Sequence, residues 1–353
     1  MHDTNKKQIL PYAEFATNCH NVESISRYLT NIFNNTGCIA PFVVTDESWA
    51  LINSVNKAFN SCSTLQYLNW AYIVLTKKEM DFNMHSAMNT RIILCQTHFF
   101  KNIAMKAKEI VKDDKKVYQF FLYTFTVLQN STSICEFEEN LKYLYDIFCR
   151  RLLNQQTSVS ISRINVIVAE RNLDIFRLHE SKELNQFDTN QFNDKRHIFW
   201  KSNDSESINQ SDFSNHFDSL VKTFDRIDVI TSNELNPYFV PNLFEIVRKK
   251  LNTIALWTGV MIPQGIRVID KAIYSERKLR NKTRLDNNAV ENYFGFLKRK
   301  IMMSSKKMLP SELVRKIYNN VKSKYLEFYS ELSKKKLENA KVKTSKNRHW
   351  TIF

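Results

Sequence analysis

The residues of this sequence that could carry chemistry are two carboxylates and a cysteine–histidine pair. Asp46 follows the β-branched run 42–45, and a carboxylate at the end of a buried strand can hold a divalent cation at the mouth of a sheet. Glu291 lies on a predicted helix, and carboxylates that converge from distant segments can bind Mg²⁺ for phosphoryl-transfer chemistry. Both have a simpler interpretation, since Asp46 suits a helix start and Asn288 with Glu291 has the spacing of a capping box.

The pair Cys95-x-x-His98 could supply half of a zinc site. A structural zinc ion takes four ligands, and the other adjacent pair, Cys19 and His20, lacks metal-ligand spacing. The alternative is a buried thiol followed by a histidine that fixes the start of a helix. The cysteines are scattered and the first residues are polar, which together predict a reducing, intracellular compartment.

The segments around these residues predict α/β construction. The strand at 42–45 leads into an amphipathic helix, and the apolar run Ile92–Leu94 ends in Cys95 and leads into a second helix. Two strands that each feed a helix indicate a partly parallel sheet. Functional groups gather at the carboxyl ends of such strands, and Asp46 and Cys95 both follow strand ends.

Glycine content argues against several nucleotide-binding classes. The chain has 4 glycines among 353 residues, and neither GxGxxG nor GxxxxGK[ST] can be written from them. Loops that cradle phosphates need glycine where the backbone approaches a ligand closely. A Rossmann dinucleotide site, a P-loop NTPase and a protein kinase are therefore disfavoured.

Positive charge is concentrated near the C-terminus. Residues 271–348 hold 22 Lys and Arg against 7 Asp and Glu, a surplus equal to the net charge of +15 of the whole chain. This asymmetry predicts a polyanionic partner, either nucleic acid or an acidic membrane surface, although a solvated helical surface would also produce it. The residues that we expect to contact nucleic acid are basic and flank Glu291. They are Arg280, Lys282, Arg284, Lys298, Arg299, Lys300, Lys306 and Lys307.

Four segments, taken in order, resemble Mutator-like (MULE) DDE transposases. Asn18–His20 with Ile25–Leu29 resembles the segment before the second acid of that family, and Val43–Ile52 resembles the segment that bears this acid. Cys95–Asn102 is similar to the Cys-x-x-His motif of the superfamily, and Asn287–Lys298 resembles the helix with the third acid. Each motif alone is weak, and their joint order carries the resemblance.

The resemblance implies an α/β, RNase H-like core with a large, mainly α-helical insertion and C-terminal helices. It also implies Mg²⁺-dependent strand cleavage and transfer on DNA, with Asp46 and Glu291 as catalytic metal ligands. The role of Cys95 and His98 in the family is less defined and includes a structural one.

One feature departs from the family. Its first catalytic Asp lies on a strand upstream of the segment where this sequence begins, and Asp3, in a polar tail, is a poor substitute. We therefore expect an incomplete core that lacks the first strands, in an N-terminally truncated or domesticated member of the family. Its catalysis would be impaired.

These expectations divide the chain into three parts. Residues 1–113 form the N-terminal part of the core, and 114–270 form the helical insertion with a polar loop at about 184–219. Residues 271–353 form a core-completing helix and a basic C-terminal helix.

The leading hypothesis is a nuclear protein that binds DNA. It allows a homo-oligomer, and it includes neither a membrane partner nor a small-molecule substrate. One rival is an active Mg²⁺-dependent transposase or nuclease that recruits another acid such as Glu47. The other rival is a scaffold that docks its basic amphipathic helix, Leu313–Leu332, on a partner or on acidic lipid.

Overall fold

The computed structural model describes 2–3, 8–9, 21–76, 89–170, 211–224, 234–262 and 309–347. Contacts group the chain into two compact units, one of 18–286 and one of 1–17 with 287–353. The second unit contributes a short antiparallel pair, β1 (His2–Asp3) and β2 (Gln8–Ile9), and the long helix treated last.

Two parallel strands form a sheet within the described residues of the first unit. Strand β3 (Phe42–Thr45) pairs with β4 (Arg91–Leu94) in a register that places Thr45 opposite Leu94. The predicted strands and their parallel pairing are therefore confirmed. Branched side chains favour this extended backbone, and Ile92, Ile93 and Leu94 are buried.

Three α-helices and a π-helical turn lie before and between the two strands in sequence. Helix α1 (Val22–Thr36) precedes β3, α2 (Trp49–Val55) follows it and continues into a π-helical turn at Asn56–Asn60, and α3 (Thr64–Thr76) follows that turn. The Asn60 amide donates to the carbonyl of Thr90 and accepts from its amide N–H, which fixes the entry to β4.

The remaining α-helices among the described residues of this unit are α4 (Gln96–Val111), α5 (Lys115–Gln129), α6 (Ile134–Cys149), α7 (Gln155–Glu170), α8 (Asp212–Phe224), α9 (Pro241–Arg248) and α10 (Ile254–Trp257).

The core runs without a break across the expected division at 113/114. Trp257 is fully buried and stacks on Phe99 of α4 at 5.1 Å between ring centroids and on Phe125 of α5 at 5.7 Å. The strands and the helices after them share this apolar cluster, so 113/114 is not a boundary between compact units. Buried aromatic side chains contribute much of the stability of such a core, so the helices that carry them pack into the same unit as the strands.

The polar loop expected at 184–219 is wrong over its last part. Helix α8 begins at Asp212 and buries Phe213, Phe217, Val221 and Phe224. These four side chains recur at steps of four and three, and they fill one helical face although polar residues separate them. Residues 184–210 of that expectation lie outside the described ranges.

A buried ion pair joins α6 to its neighbours. Asp146 and Arg150 are 2.7 Å apart with side chains 1% and 6% exposed. Arg150 also donates to the carbonyl of Phe224, and the Ser160 hydroxyl donates to Asp146. Buried charges need such additional partners, so this network fixes how α6, α7 and α8 pack.

The second unit contains α11 (Pro310–Asn347), a helix of 38 residues. It begins at the proline where the sequence predicts a helix start, because proline fits the first turn of a helix. None of the described helices has both the length and the apolar run that a membrane crossing needs.

Candidate metal centre

Asp46 lies directly after β3, where the chain turns toward α2. The Ser48 N–H donates to the Asp46 carbonyl at 2.7 Å, and Ser48, not Asp46, is the N-cap residue of α2. No acidic residue occupies the first turn of that helix. The helix-start interpretation of Asp46 is therefore wrong, and its side chain, 55% exposed, accepts a hydrogen bond from His98 instead.

Cys95 occupies the matching position after β4. Its N–H donates to the Thr45 carbonyl at 2.7 Å, and its own carbonyl accepts from Phe99 in the first hydrogen bond of α4. The residue is 1% exposed, which confirms the predicted buried thiol. Cys95 is the N-cap residue of α4, so the helix that carries His98 starts at this thiol.

His98 lies in the first turn of α4 and faces both groups. Its Nδ1 is 2.7 Å from Asp46 Oδ1, and its side chain is 27% exposed. Taken together, the carboxylate oxygen, the Cys95 sulfur and a ring nitrogen of His98 lie within 4.8 Å of one another.

The charge of His98 follows from these neighbours. The hydrogen bond to Asp46 and then the one to Cys95 raise the pKa of His98 to about 10, against the opposing effect of burial. The imidazole is therefore a cation in the metal-free protein at neutral pH. It donates its Nδ1 proton to Asp46.

A basic pocket is linked to this cluster through Glu47, the residue that follows Asp46. Glu47 forms an ion pair with Lys250, whose ammonium is 5.9 Å from the ring centroid of Phe99. Lys250, Lys249 and Lys106 line an open pocket of about 330 Å³ together with Glu245. Partial burial is the main cause that lowers the pKa of Lys106, and the charges of Lys250 and Lys249 add to it against the opposing effect of Glu47 and Glu109.

The other predicted site residues lie outside the described ranges. These are Glu291, Arg280, Lys282, Arg284, Lys298, Arg299, Lys300, Lys306 and Lys307. Glu47, the acid that the active-enzyme hypothesis recruits in place of the missing one, is paired with Lys250.

The described donors do not fit the Mg²⁺ ion that the resemblance implies. Mg²⁺ takes hard oxygen ligands in octahedral geometry, whereas thiolate and imidazole suit zinc and related metals. Of the three clustered side chains, only Asp46 offers a carboxylate oxygen. No step of a Mg²⁺ reaction can be derived from this set.

Sequence reasoning identified Asp46, Cys95 and His98 separately but missed that they meet. The signal that would have joined them is the pairing of two short strands in parallel, because residues directly after paired strand ends lie side by side. It also missed the lysine pocket, whose residues come from α4 and from the end of α9, far apart in sequence. The chain matches no protein-family model, no curated protein and no solved structure.

Proposed function

We propose that the protein is a transposase-derived DNA-binding protein with an RNase H-like core, and that it holds DNA without cleaving it. The observation that carries the proposal is the concentration of the entire positive surplus in residues 271–348. Lysine and arginine neutralise phosphates and release condensed counterions, so a localised block of this kind favours a polyanion.

Helix α11 supports the proposal within the described residues. Arg315, Tyr318, Lys322 and Tyr329 are exposed, and the two tyrosines are about three helical turns apart and so lie on one face. Basic side chains contact phosphates, and exposed aromatic rings stack on bases or pack against sugars. Such a face suits nucleic acid better than a bare solvated surface.

The lysine pocket supports it from the other compact unit. Lys106, Lys249 and Lys250 line one pocket. Glu245 also lies in its lining and Lys250 pairs with Glu47, but the three lysines outnumber these acids, so the pocket favours a phosphate. Contacts of this type position a backbone without reading its sequence.

The test is a binding titration of the full chain with duplex DNA at several salt concentrations. The logarithm of the association constant should fall linearly with the logarithm of salt, with a slope of about −0.9 for each phosphate contact. Changing Lys298, Arg299 and Lys300 together to Gln should weaken binding and flatten that slope. Absence of DNA affinity at low salt would refute the proposal.

A matched control removes the same charge elsewhere. Lys108, Lys112 and Lys115 are exposed at the junction of α4 and α5, and their joint change to Gln should leave the salt slope unchanged. An equal loss of affinity in both triple variants would mean that net charge alone drives binding. Binding to acidic vesicles without DNA binding would favour the scaffold hypothesis.

A second candidate function is metal-dependent DNA cleavage, which the position of Asp46 at a strand end favours. It predicts nicking of DNA in Mg²⁺ that Glu291→Gln abolishes. Nicking that survives this change, or no nicking in Mg²⁺, leaves DNA binding as the function. A DNA partner also implies a nuclear location, which imaging of the tagged chain would test.

A further inference from the structure

We propose that Asp46, Cys95 and His98 form a transition-metal site that binds Zn²⁺ at the carboxyl ends of β3 and β4. The proposal is independent of DNA binding. It rests on the geometry of the three side chains and on the chemistry of their donor atoms.

The three donors already lie close to the arrangement that a zinc ion needs. Zinc bonds of about 2.0–2.3 Å in a tetrahedron separate neighbouring ligand atoms by about 3.3–3.6 Å. The observed donors lie within 4.8 Å of one another, and Nδ1 of His98 is 2.7 Å from Asp46 Oδ1. Side-chain rotations that move the donor atoms by roughly an ångström would place all three around one ion, with a proton from the His98 imidazole and the thiol proton of Cys95 released to solvent.

The backbone fixes where these side chains begin. The Cys95 N–H is bonded to the Thr45 carbonyl, so the ends of β3 and β4 cannot shift past each other without losing that bond. His98 follows in the first turn of α4, whose first hydrogen bond starts at the Cys95 carbonyl. Ligands held on rigid elements lose little entropy when a metal binds, which favours affinity.

The donor set selects the metal. Thiolate, imidazole and carboxylate are the three ligand types found at protein zinc sites, and three protein ligands with one further ligand complete a tetrahedron. The sulfur disfavours Mg²⁺ and Ca²⁺, which prefer oxygen.

A cysteine nucleophile is the competing use of the same three groups. A reactive cysteine must be reached by its substrate, whereas Cys95 is 1% exposed. The partly exposed members of the cluster are Asp46 and His98, so the side of the cluster that faces solvent presents metal-ligand atoms rather than the thiol.

The test is a Co²⁺ titration of the metal-free full chain, followed by displacement with Zn²⁺. We expect the visible bands of a four-coordinate cobalt ion and a near-ultraviolet thiolate-to-cobalt charge-transfer band at one equivalent. Millimolar Mg²⁺ should not displace the cobalt. Cys95→Ser should abolish the charge-transfer band and weaken Zn²⁺ binding by at least about 100-fold, because even indirect partners of ligands are worth 10- to 100-fold.

The matched control is Cys135→Ser, which removes an exposed thiol in the first turn of α6 and should leave both bands unchanged. Circular dichroism of each variant shows whether it is folded, and native mass spectrometry counts bound zinc independently of colour. If the folded wild-type chain gives no cobalt spectrum, Asp46 and His98 form only an ion pair and the cluster does not bind metal. A spectrum that persists in Cys95→Ser would place the metal elsewhere. Either result overturns the proposal.

Discussion

Two histidine–carboxylate pairs among the described residues have the same separation but different surroundings. His98 Nδ1 is 2.7 Å from Asp46 Oδ1, and His216 Nε2 is 2.7 Å from Glu138 Oε1. Both imidazoles are 27% exposed, whereas Asp46 is 55% and Glu138 is 28% exposed. The distance between the ring nitrogen and the carboxylate oxygen therefore does not distinguish the two pairs.

The two pairs differ in the third group that lies beside each histidine. The Tyr72 hydroxyl lies 3.4 Å from the other nitrogen of His216, and the Phe217 ring stands edge-on to the imidazole. This histidine joins α3, α6 and α8, and its neighbours are an oxygen and aromatic rings. At His98 the third group is the Cys95 thiol at a helix N-terminus. Of these two arrangements, the one at His98 gathers three strong zinc donors and the one at His216 does not. The groups around a histidine–carboxylate pair therefore decide its chemistry.

The largest expected effect is on zinc affinity. His98→Gln removes a nitrogen ligand and should weaken Zn²⁺ binding by at least about 100-fold, which corresponds to about 2.7 kcal/mol. His216→Gln removes an imidazole with the same exposure and should leave the affinity unchanged. Competition with a chromophoric chelator measures both constants. Equal losses in the two variants would contradict the distinction between the pairs.

The next effect is on stability in the presence of metal. A ligand that binds only the folded state at 100 times its dissociation constant raises the free energy of unfolding by about 2.7 kcal/mol. Zinc should therefore stabilise the wild-type chain and Glu138→Gln by this amount in urea titrations. It should give little or no stabilisation to Asp46→Asn, which loses the anionic oxygen ligand. Stabilisation of Asp46→Asn by the full amount would exclude Asp46 as a ligand.

Much of the fold around the site follows from local sequence. The β-branched run before Asp46, the apolar run before Cys95 and the helical spacing after each specify strand, strand and helix. Helix α8 was missed because Ser, Asn, His and Asp separate Phe213 from Phe217 and Val221, so its mean polarity hid its periodicity. A helix stabilised by one aromatic face depends on the core it meets, which local composition does not reveal.

The site was harder to predict than the elements that carry it. Cys95 and His98 are three residues apart, so their proximity is local. Asp46 lies 49 positions before Cys95 and joins them only through strand pairing. Sequence reasoning paired Asp46 with Glu291 because both are acids. It considered Cys95 and His98 separately, as half of a zinc site or as a buried thiol with a histidine at a helix start. Long-range register, which no local pattern encodes, brings the carboxylate to the sulfur and nitrogen donors.

The smallest expected effect is on the free energy of unfolding without metal, where replacing His216 should cost more than replacing His98. In the metal-free protein, His216→Gln should lower the free energy of unfolding by about 1 kcal/mol, because it breaks a hydrogen bond to a carboxylate that is mostly covered. His98→Gln should cost less, about 0.5 kcal/mol. The pKa of His98 near 10 alone would suggest a stronger pair, but water reaches Asp46 and screens the interaction. Urea titrations in a chelating buffer measure both values. A larger loss for His98→Gln without metal would mean that the Asp46–His98 pair chiefly stabilises the ends of β3 and β4, and the structural interpretation of this cluster would then gain over the metal one.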